Sequence, residues 1–188
     1  MALNHAGTVE LRTGRLLLRR LREDDAEQMC ENWAADPEVT KFLTWEPHRD
    51  VAETRAYLAG VAASYERPDS YHWGIELEGV LIGTIGVVKL ESEDLACFVG
   101  YCMGRKWWGR GIMAEALIAV ERFLFEEVAF NRIAAVHDGR NPNSGRVMRK
   151  AGMALEGVLR QSRLAKDGAL SDTACYAILR EEWKTRHG

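Results

Sequence analysis

Trp107-Trp108-Gly109-Arg110-Gly111-Ile112-Met113-Ala114-Glu115-Ala116 is the stretch that decides the fold. Two glycines bracket one arginine directly before a long amphipathic pattern, in which Met113, Leu117, Val120 and Leu124 recur at helical spacing and Ala116 and Phe123 widen the stripe. A helix start presents unpaired backbone N–H groups and the positive end of the helix dipole. Glycine there lets an anion approach the backbone without a Cβ in the way. Upstream, Leu95 to Met103 is an apolar run that reads as a buried strand. The order strand, glycine turn, helix predicts a site for a phosphorylated ligand, although Gly-x-Gly alone equally describes a tight turn. No Gly-Lys-Ser/Thr follows the glycines to hold a triphosphate and its magnesium, and no third glycine completes a dinucleotide fingerprint.

The 188 residues suffice for one domain with a full core, expected over residues 9–188 with residues 1–8 as an N-terminal extension. A formal charge of -3 argues against a sequence-independent nucleic-acid footprint. Cys30, Cys97, Cys102 and Cys175 have no metal-finger or Cys-x-x-Cys spacing, and no metal is expected. The N-terminus lacks a signal-type apolar stretch, and no apolar run approaches about 18 residues. The expected setting is the cytoplasm, with no membrane partner.

Along the chain, Arg15 to Leu21 reads as a first strand, and Glu23-Asp24-Asp25 as acidic caps for a helix carrying Ala26, Met29, Cys30 and Trp33. A loop from Asp36 to Arg49 precedes a helix from about Asp50 to Tyr65, and Tyr71–Leu77 with Val80–Leu90 reads as a hairpin. After the helix from Ile112 to about Val128 come a strand, Arg132–His137, and a short helix, Pro142–Ala151. Val158–Ala165 and Ala174–Leu179 then form a closing hairpin. The mixture predicts an α/β (α+β) domain around a mostly antiparallel sheet.

Read in order, these pieces resemble the GCN5-related N-acetyltransferase (GNAT) superfamily, and within it the ribosomal-protein-alanine N-acetyltransferase branch. The resemblance runs over nearly the whole chain, from Thr13-Gly14-Arg15-Leu16-Leu17-Leu18-Arg19 through Gly83-x-Ile85-Gly86, Gly100-Tyr101 and Trp108-Gly109-Arg110-Gly111 with Glu115-Ala116. It continues through Asn131-Arg132-Ile133, Asn141-x-x-Ser144, Lys150-Ala151-Gly152-Met153 and Glu156-Gly157-Val158-Leu159-Arg160 to Glu181-Glu182-Trp183. It implies a central sheet splayed between the fourth and fifth strands and flanked by helices. It also implies acetyl-CoA as cosubstrate, with its pyrophosphate over Trp108, Gly109, Arg110, Gly111, Ile112 and Met113. The pantetheine arm would pair with the free edge at Tyr101, Cys102 and Met103, with Asn141 and Ser144 beside the thiol end and Lys150 among the cations that attract the phosphates.

Two acid-base groups common in relatives are replaced. Phe98 stands where the branch carries a Glu, and Met148 where other branches carry a Tyr that protonates the leaving thiolate. Ser144 becomes the candidate catalytic donor to the thiolate, with a helix-start cap as its structural alternative. A backbone N–H near Met103 can serve the oxyanion. The base is left to water, Glu46, Asp172, or an acceptor that is already partly neutral. An α-amine with a pKa near about 8 is the easier acceptor beside a lysine near about 10.4. The resemblance puts Thr44-Trp45-Glu46-Pro47-His48 on one wall of the acceptor cleft, so Trp45, Glu46 and His48 are substrate-binding candidates; the alternative is a solvated loop with Trp45 packed inward. Tyr71, His72, Trp73 and His137 read as sheet residues, and Cys102 as a small core residue rather than a nucleophile. The expected activity is acetyl transfer to a primary amine of a protein N-terminus. A small-molecule amine such as an antibiotic or polyamine, or a non-catalytic acetyl-CoA sensor, are the alternatives, in a monomer or homodimer.

Overall fold

The structure, a computed structural model, describes residues 2–187, so the outer limits of the expected extension and domain, Met1 and Gly188, lie outside the described residues. Its frame is an eight-stranded sheet in the order β1-β2-β3-β4-β5-β6-β8-β7. The strands are β1 (Leu11–Arg12), β2 (Leu16–Arg19), β3 (His72–Leu77), β4 (Val80–Glu91), β5 (Ala96–Met103), β6 (Arg132–Asp138), β7 (Ala154–Leu164) and β8 (Leu170–Leu179). The helices are α1 (Ala26–Met29), α2 (Pro37–Thr40), α3 (Val51–Ser64), α4 (Ile112–Glu126), α5 (Pro142–Ala151) and α6 (Arg180–His187). Neighbouring strands are antiparallel except β5 and β6, which run parallel.

That parallel pair controls the architecture. It is joined only through Ala96↔Arg132, Cys97↔Ile133 and Phe98↔Ala134. Beyond this point β5 remains paired with β4 as far as Met103, and β6 remains paired with β8 as far as Asp138. The two strands therefore diverge into a wedge, as expected between the fourth and fifth of the strands read from sequence. Helices α4 and α5 bury the larger core against the sheet, with Ile112, Leu117, Val120, Leu124, Met148 and Ala151 packed on Val99, Ile133, Ala135, Tyr176 and Ile178. A second cluster joins Met29 and Trp33 to Leu58 and Val61 of α3 and Leu81 of β4, with Trp45 and Cys102 packed against it. The N-terminal segment lies against the sheet, where Thr8 Oγ1 donates to the Ser70 carbonyl at 2.8 Å and Asn4 N–H to the Val128 carbonyl at 2.9 Å.

Several expectations need correction. The first strand stops at Arg19 rather than Leu21, because the Leu21 N–H is taken by the Tyr65 hydroxyl at 2.9 Å and the Arg20 guanidinium by the Thr8 carbonyl. The acidic run Glu23–Asp25 forms its own 3-10 turn, and Asp25 reaches backward to the Arg22 N–H and the Arg19 guanidinium, each at 2.8 Å, instead of capping α1. The helix expected to run on through Trp33 widens into a π-turn at Cys30–Ala34, and the loop after it contains α2, capped where Asp36 accepts from the Glu38 N–H. The closing hairpin starts earlier on both strands than Val158 and Ala174. Register shifts after Leu155 and Leu159 break the alternation that marks a strand. The terminal helix α6 buries only Trp183, so no apolar stripe announced it.

Candidate active site

The glycine turn connects β5 to α4. Gly109 and Gly111 both lie at φ +75, in the left-handed region, and a Cβ built on either would meet no atom within 4 Å. The backbone here is shaped for glycine and open on its outer side. Gly111 is the N-cap of α4 and carries no side-chain cap. The first amide to close a helical bond is that of Glu115, donating to the Gly111 carbonyl at 3.1 Å. The N–H groups of Gly109 through Ala114 thus donate to no protein acceptor among the described residues. The turn is clamped from below. Glu115 accepts Thr13 Oγ1 at 2.5 Å and Arg15 Nε at 2.7 Å, which ties α4 to the turn between β1 and β2. Burial raises the Glu115 carboxyl, but the Thr13 and Arg15 bonds outweigh it and hold the group below its ordinary value. These contacts give Thr13-Gly14-Arg15 and Glu115, far apart in sequence, one task.

The basic residues divide. Arg105 is held by Asp36 at 2.6 Å, and Arg149 donates to the Tyr176 hydroxyl at 2.6 Å. Arg146 bonds Asn143, whereas Lys106, Arg110 and Lys150 have no side-chain partner among the described residues. Lys106 and Arg110 flank the turn and remain available to a polyanion there, and Lys150 carries its charge in the last turn of α5.

At the wedge, β5 presents its unpaired edge. Gly104 N–H donates to the Ile82 carbonyl at 2.9 Å, so antiparallel alternation turns the N–H and C=O groups of Met103 and Tyr101 away from β4 toward the gap. The Met103 carbonyl is taken by Trp108 Nε1 at 2.7 Å, which leaves the Met103 N–H as the donor there. The half-exposed Trp108 indole thus secures the end of β5. Cys102 lies between them with its thiol 3.4 Å from Thr84 Oγ1. Burial pushes that thiol up to about 11 despite the Thr84 hydrogen bonds, so it stays protonated and is a poor nucleophile.

Across the wedge stands Ser144, in the first turn of α5. The cap of this helix is Asn141, whose side chain accepts from the Ser144 N–H at 3.4 Å, so the Ser144 hydroxyl is not the cap. It lies instead 3.0 Å from the Tyr101 hydroxyl, which also lies 3.0 Å from the Ser144 carbonyl. A carbonyl only accepts, so Tyr101 donates to it and the Ser144 O–H is the donor between the two hydroxyls. Burial, with Glu121 and Tyr176 nearby, outweighs the Ser144 bond and holds the Tyr101 phenol far above its ordinary range.

The loop candidates separate. Trp45 packs on the second core and its ring lies 5.4 Å from that of His48, while Glu46 points outward, 76% exposed and 3.5 Å from Lys166 Nζ. Lys166, in the turn of the closing hairpin, also donates to the Thr40 and Trp45 carbonyls and fastens this loop. Asp172 sits across the sheet on β8, where its carboxylate accepts the Gln161 N–H at 2.8 Å. Tyr57, Thr54 and His72, none of them chosen from sequence, join the His48 end of this cluster. The three-residue spacing of Thr54 and Tyr57 on one helix face was the available signal. A cavity of about 550 Å³ lies on the face of α5 that carries Pro142 and Arg149, away from Ser144, and is lined by His137 and Tyr176. No helix among the described residues is long and apolar enough to cross a membrane.

A family model described as an acetyltransferase (GNAT) domain matches residues 15–154. The chain is 30% identical over 175 residues, 92% of its length and 97% of the relative's, to the uncharacterized N-acetyltransferase p20 of Bacillus licheniformis. It is 29% identical over 185 residues, 93% of each chain, to the ribosomal protein uS5 alanine N-acetyltransferase of Escherichia coli K12. A crystal structure of a GNAT-family acetyltransferase from Bacillus anthracis superimposes with a TM-score of 0.80 at 26% identity, covering 92% of this chain and 99% of that one.

Proposed function

The chain belongs to the GNAT acetyltransferase family, and from that premise we propose that it moves acetyl from acetyl-CoA directly to a primary amine, the α-amine of a protein N-terminus of the ribosomal-protein-alanine type. The observation that carries this reading is the row of amides from Gly109 to Ala114, unbonded among the described residues, beside a sheet that opens past Phe98 and Ala134. The amides and the positive end of α4 suit a diphosphate, and Lys106, Arg110 and Lys150 suit the remaining phosphate charge. The Tyr101 and Met103 backbone suits the amides of a pantetheine arm laid along β5 as an added strand.

Residues 9–188 act as one unit in this scheme, with residues 1–8 as its N-terminal extension, in the cytoplasm where acetyl-CoA is supplied. The Met103 N–H suits the thioester oxygen as it gains charge, and the Ser144 hydroxyl turns its one proton from Tyr101 to the departing sulfur. The likeness to the Escherichia coli enzyme, which acetylates an alanine of a ribosomal protein, supports an α-amine as acceptor. So does Phe98, because an α-amine near about 8 demands less of a base than a lysine near about 10.4.

Thiol release from acetyl-CoA, measured with a panel of N-terminal peptides, lysine peptides, polyamines and aminoglycosides, tests the proposal. Release fastest with peptides bearing a free N-terminal amine supports it. Release only with small amines replaces the acceptor class, and tight binding of acetyl-CoA without release across the panel supports a sensor.

A further inference from the structure

A row of rings leads across the α3 side of the sheet toward the open end of β5. Trp45 and His48 lie 5.4 Å apart between ring centroids, His48 and Tyr57 5.7 Å, and Tyr57 and His72 6.4 Å. Tyr57 exposes part of its ring, but burial and the nearby Cys102 thiol push its phenol up to about 12, so it stays protonated. Burial pushes His72 down to about 4, so it stays neutral. Cys102 is the β5 residue between Tyr101 and Met103, so Tyr57, beside its thiol, brings the row to the β5 segment that borders the wedge.

His48 is the member of the row held at two points. Its N–H donates to the Ala34 carbonyl at 2.9 Å, and its Nδ1 lies 2.8 Å from Thr54 Oγ1. Thr54 is fully buried and its hydroxyl also lies 3.2 Å from the Asp50 carbonyl, which only accepts. With the single hydroxyl proton on Asp50, His48 Nδ1–H donates to Thr54 and Nε2 keeps its lone pair. The titratable groups around this imidazole are Glu53 and Tyr57 on α3, the Arg49 guanidinium that binds Glu53 at 3.0 Å, and Lys166 on the Trp45 carbonyl. Burial lowers His48 below its ordinary value, with Glu53 opposing, so the ring is neutral near pH 7.

We propose that His48 Nε2 takes the proton from the acceptor ammonium, the task left open by Phe98. This rests on the acetyl-transfer reading above. An ammonium N–H bond breaks and its proton passes to Nε2, directly or through one water. The freed lone pair then forms the C–N bond to the acetyl carbonyl carbon. The C–S bond breaks with its electron pair going to sulfur, which gains a proton as the nitrogen sheds its second, and the imidazolium returns its own proton to solvent.

The test is the pH dependence of kcat/KM for the best peptide acceptor of the panel between pH 6 and 9, in the wild type, His48→Gln and Thr54→Val. With a base of this kind the wild-type profile is nearly flat from about pH 6.5 to the amine pKa near about 8. His48→Gln leaves only amine that is already neutral, so its profile climbs about tenfold per pH unit, and a loss of about 30-fold or more at pH 6.5 shrinks to a few-fold at pH 9. Calorimetric affinity for acetyl-CoA stays unchanged in both variants. Thr54→Val keeps the imidazole without its partner and gives a weaker form of the same steepening. Variant profiles parallel to the wild type, even at lower overall rate, overturn the role of His48 while leaving acetyl transfer standing. A wild type that transfers acetyl to no amine overturns both.

Discussion

The Tyr101 hydroxyl lies 3.0 Å from both the carbonyl and the hydroxyl oxygen of Ser144, one side chain of β5 meeting the first turn of α5 across the wedge. Tyr101 thereby sets the resting rotamer of the hydroxyl proposed to serve the departing sulfur. Ser144→Ala is expected to lower kcat by about tenfold or more with acetyl-CoA affinity retained, since a hydrogen bond used in the transition state is worth a few kcal/mol. Tyr101→Phe gives a smaller loss, and the double variant no more than Ser144→Ala alone. Turnover of Ser144→Ala within about twofold of the wild type would remove this residue from the chemistry.

The glycine turn makes a separable prediction. Gly109→Ala and Gly111→Ala add a methyl group that meets no protein atom, but each forces alanine to φ +75. Strain of about 1–2 kcal/mol is expected in thermal unfolding, together with a raised KM for acetyl-CoA because the methyl stands where the phosphates are proposed to approach. Unchanged KM in both variants would argue that the open side of the turn serves nothing.

Lys150 is exposed at the end of α5 without a side-chain partner among the described residues. Lys150→Gln should raise the Kd for acetyl-CoA several-fold at low salt and flatten its dependence on ionic strength, because a screened charge contact has been removed. A Kd that shifts equally at all salt concentrations would indicate loss of packing instead.

Glu121 is fully buried on α4, and neither carboxylate oxygen has a hydrogen-bond partner among the described residues. Burial, opposed by Arg186, raises its folded-state pKa well above the ordinary 4.5. The folded protein therefore holds a proton that the unfolded chain releases near pH 4.5, and stability falls as pH rises from there toward the folded value. Glu121→Gln removes this slope. Its Tm relative to the wild type should increase between pH 5 and pH 8, whereas a constant difference would mean the carboxyl is not buried uncharged.

Much of this was legible in the chain, for identifiable reasons. The stripe through Leu117, Val120 and Leu124 and the glycines before it are local signals, and α4 and its open amides lie where they predict. The wedge was legible only through resemblance, because no local pattern reports that Phe98 is the last β5 residue to pair with β6. The loop candidates were half legible. Trp45 and His48 meet, but Glu46 turns outward because Lys166, 120 positions away in the chain, draws the loop across. Tyr57, Thr54 and His72 come to His48 through tertiary packing alone, and the register shifts of the closing hairpin hide its true length.

The decisive measurement is a crystal structure of the protein with acetyl-CoA. The expected result is the diphosphate within hydrogen-bond distance of the amides between Gly109 and Ala114, with the sulfur in the gap between Met103 and Ser144. A diphosphate bound elsewhere, or no bound ligand at saturating concentration, would contradict it.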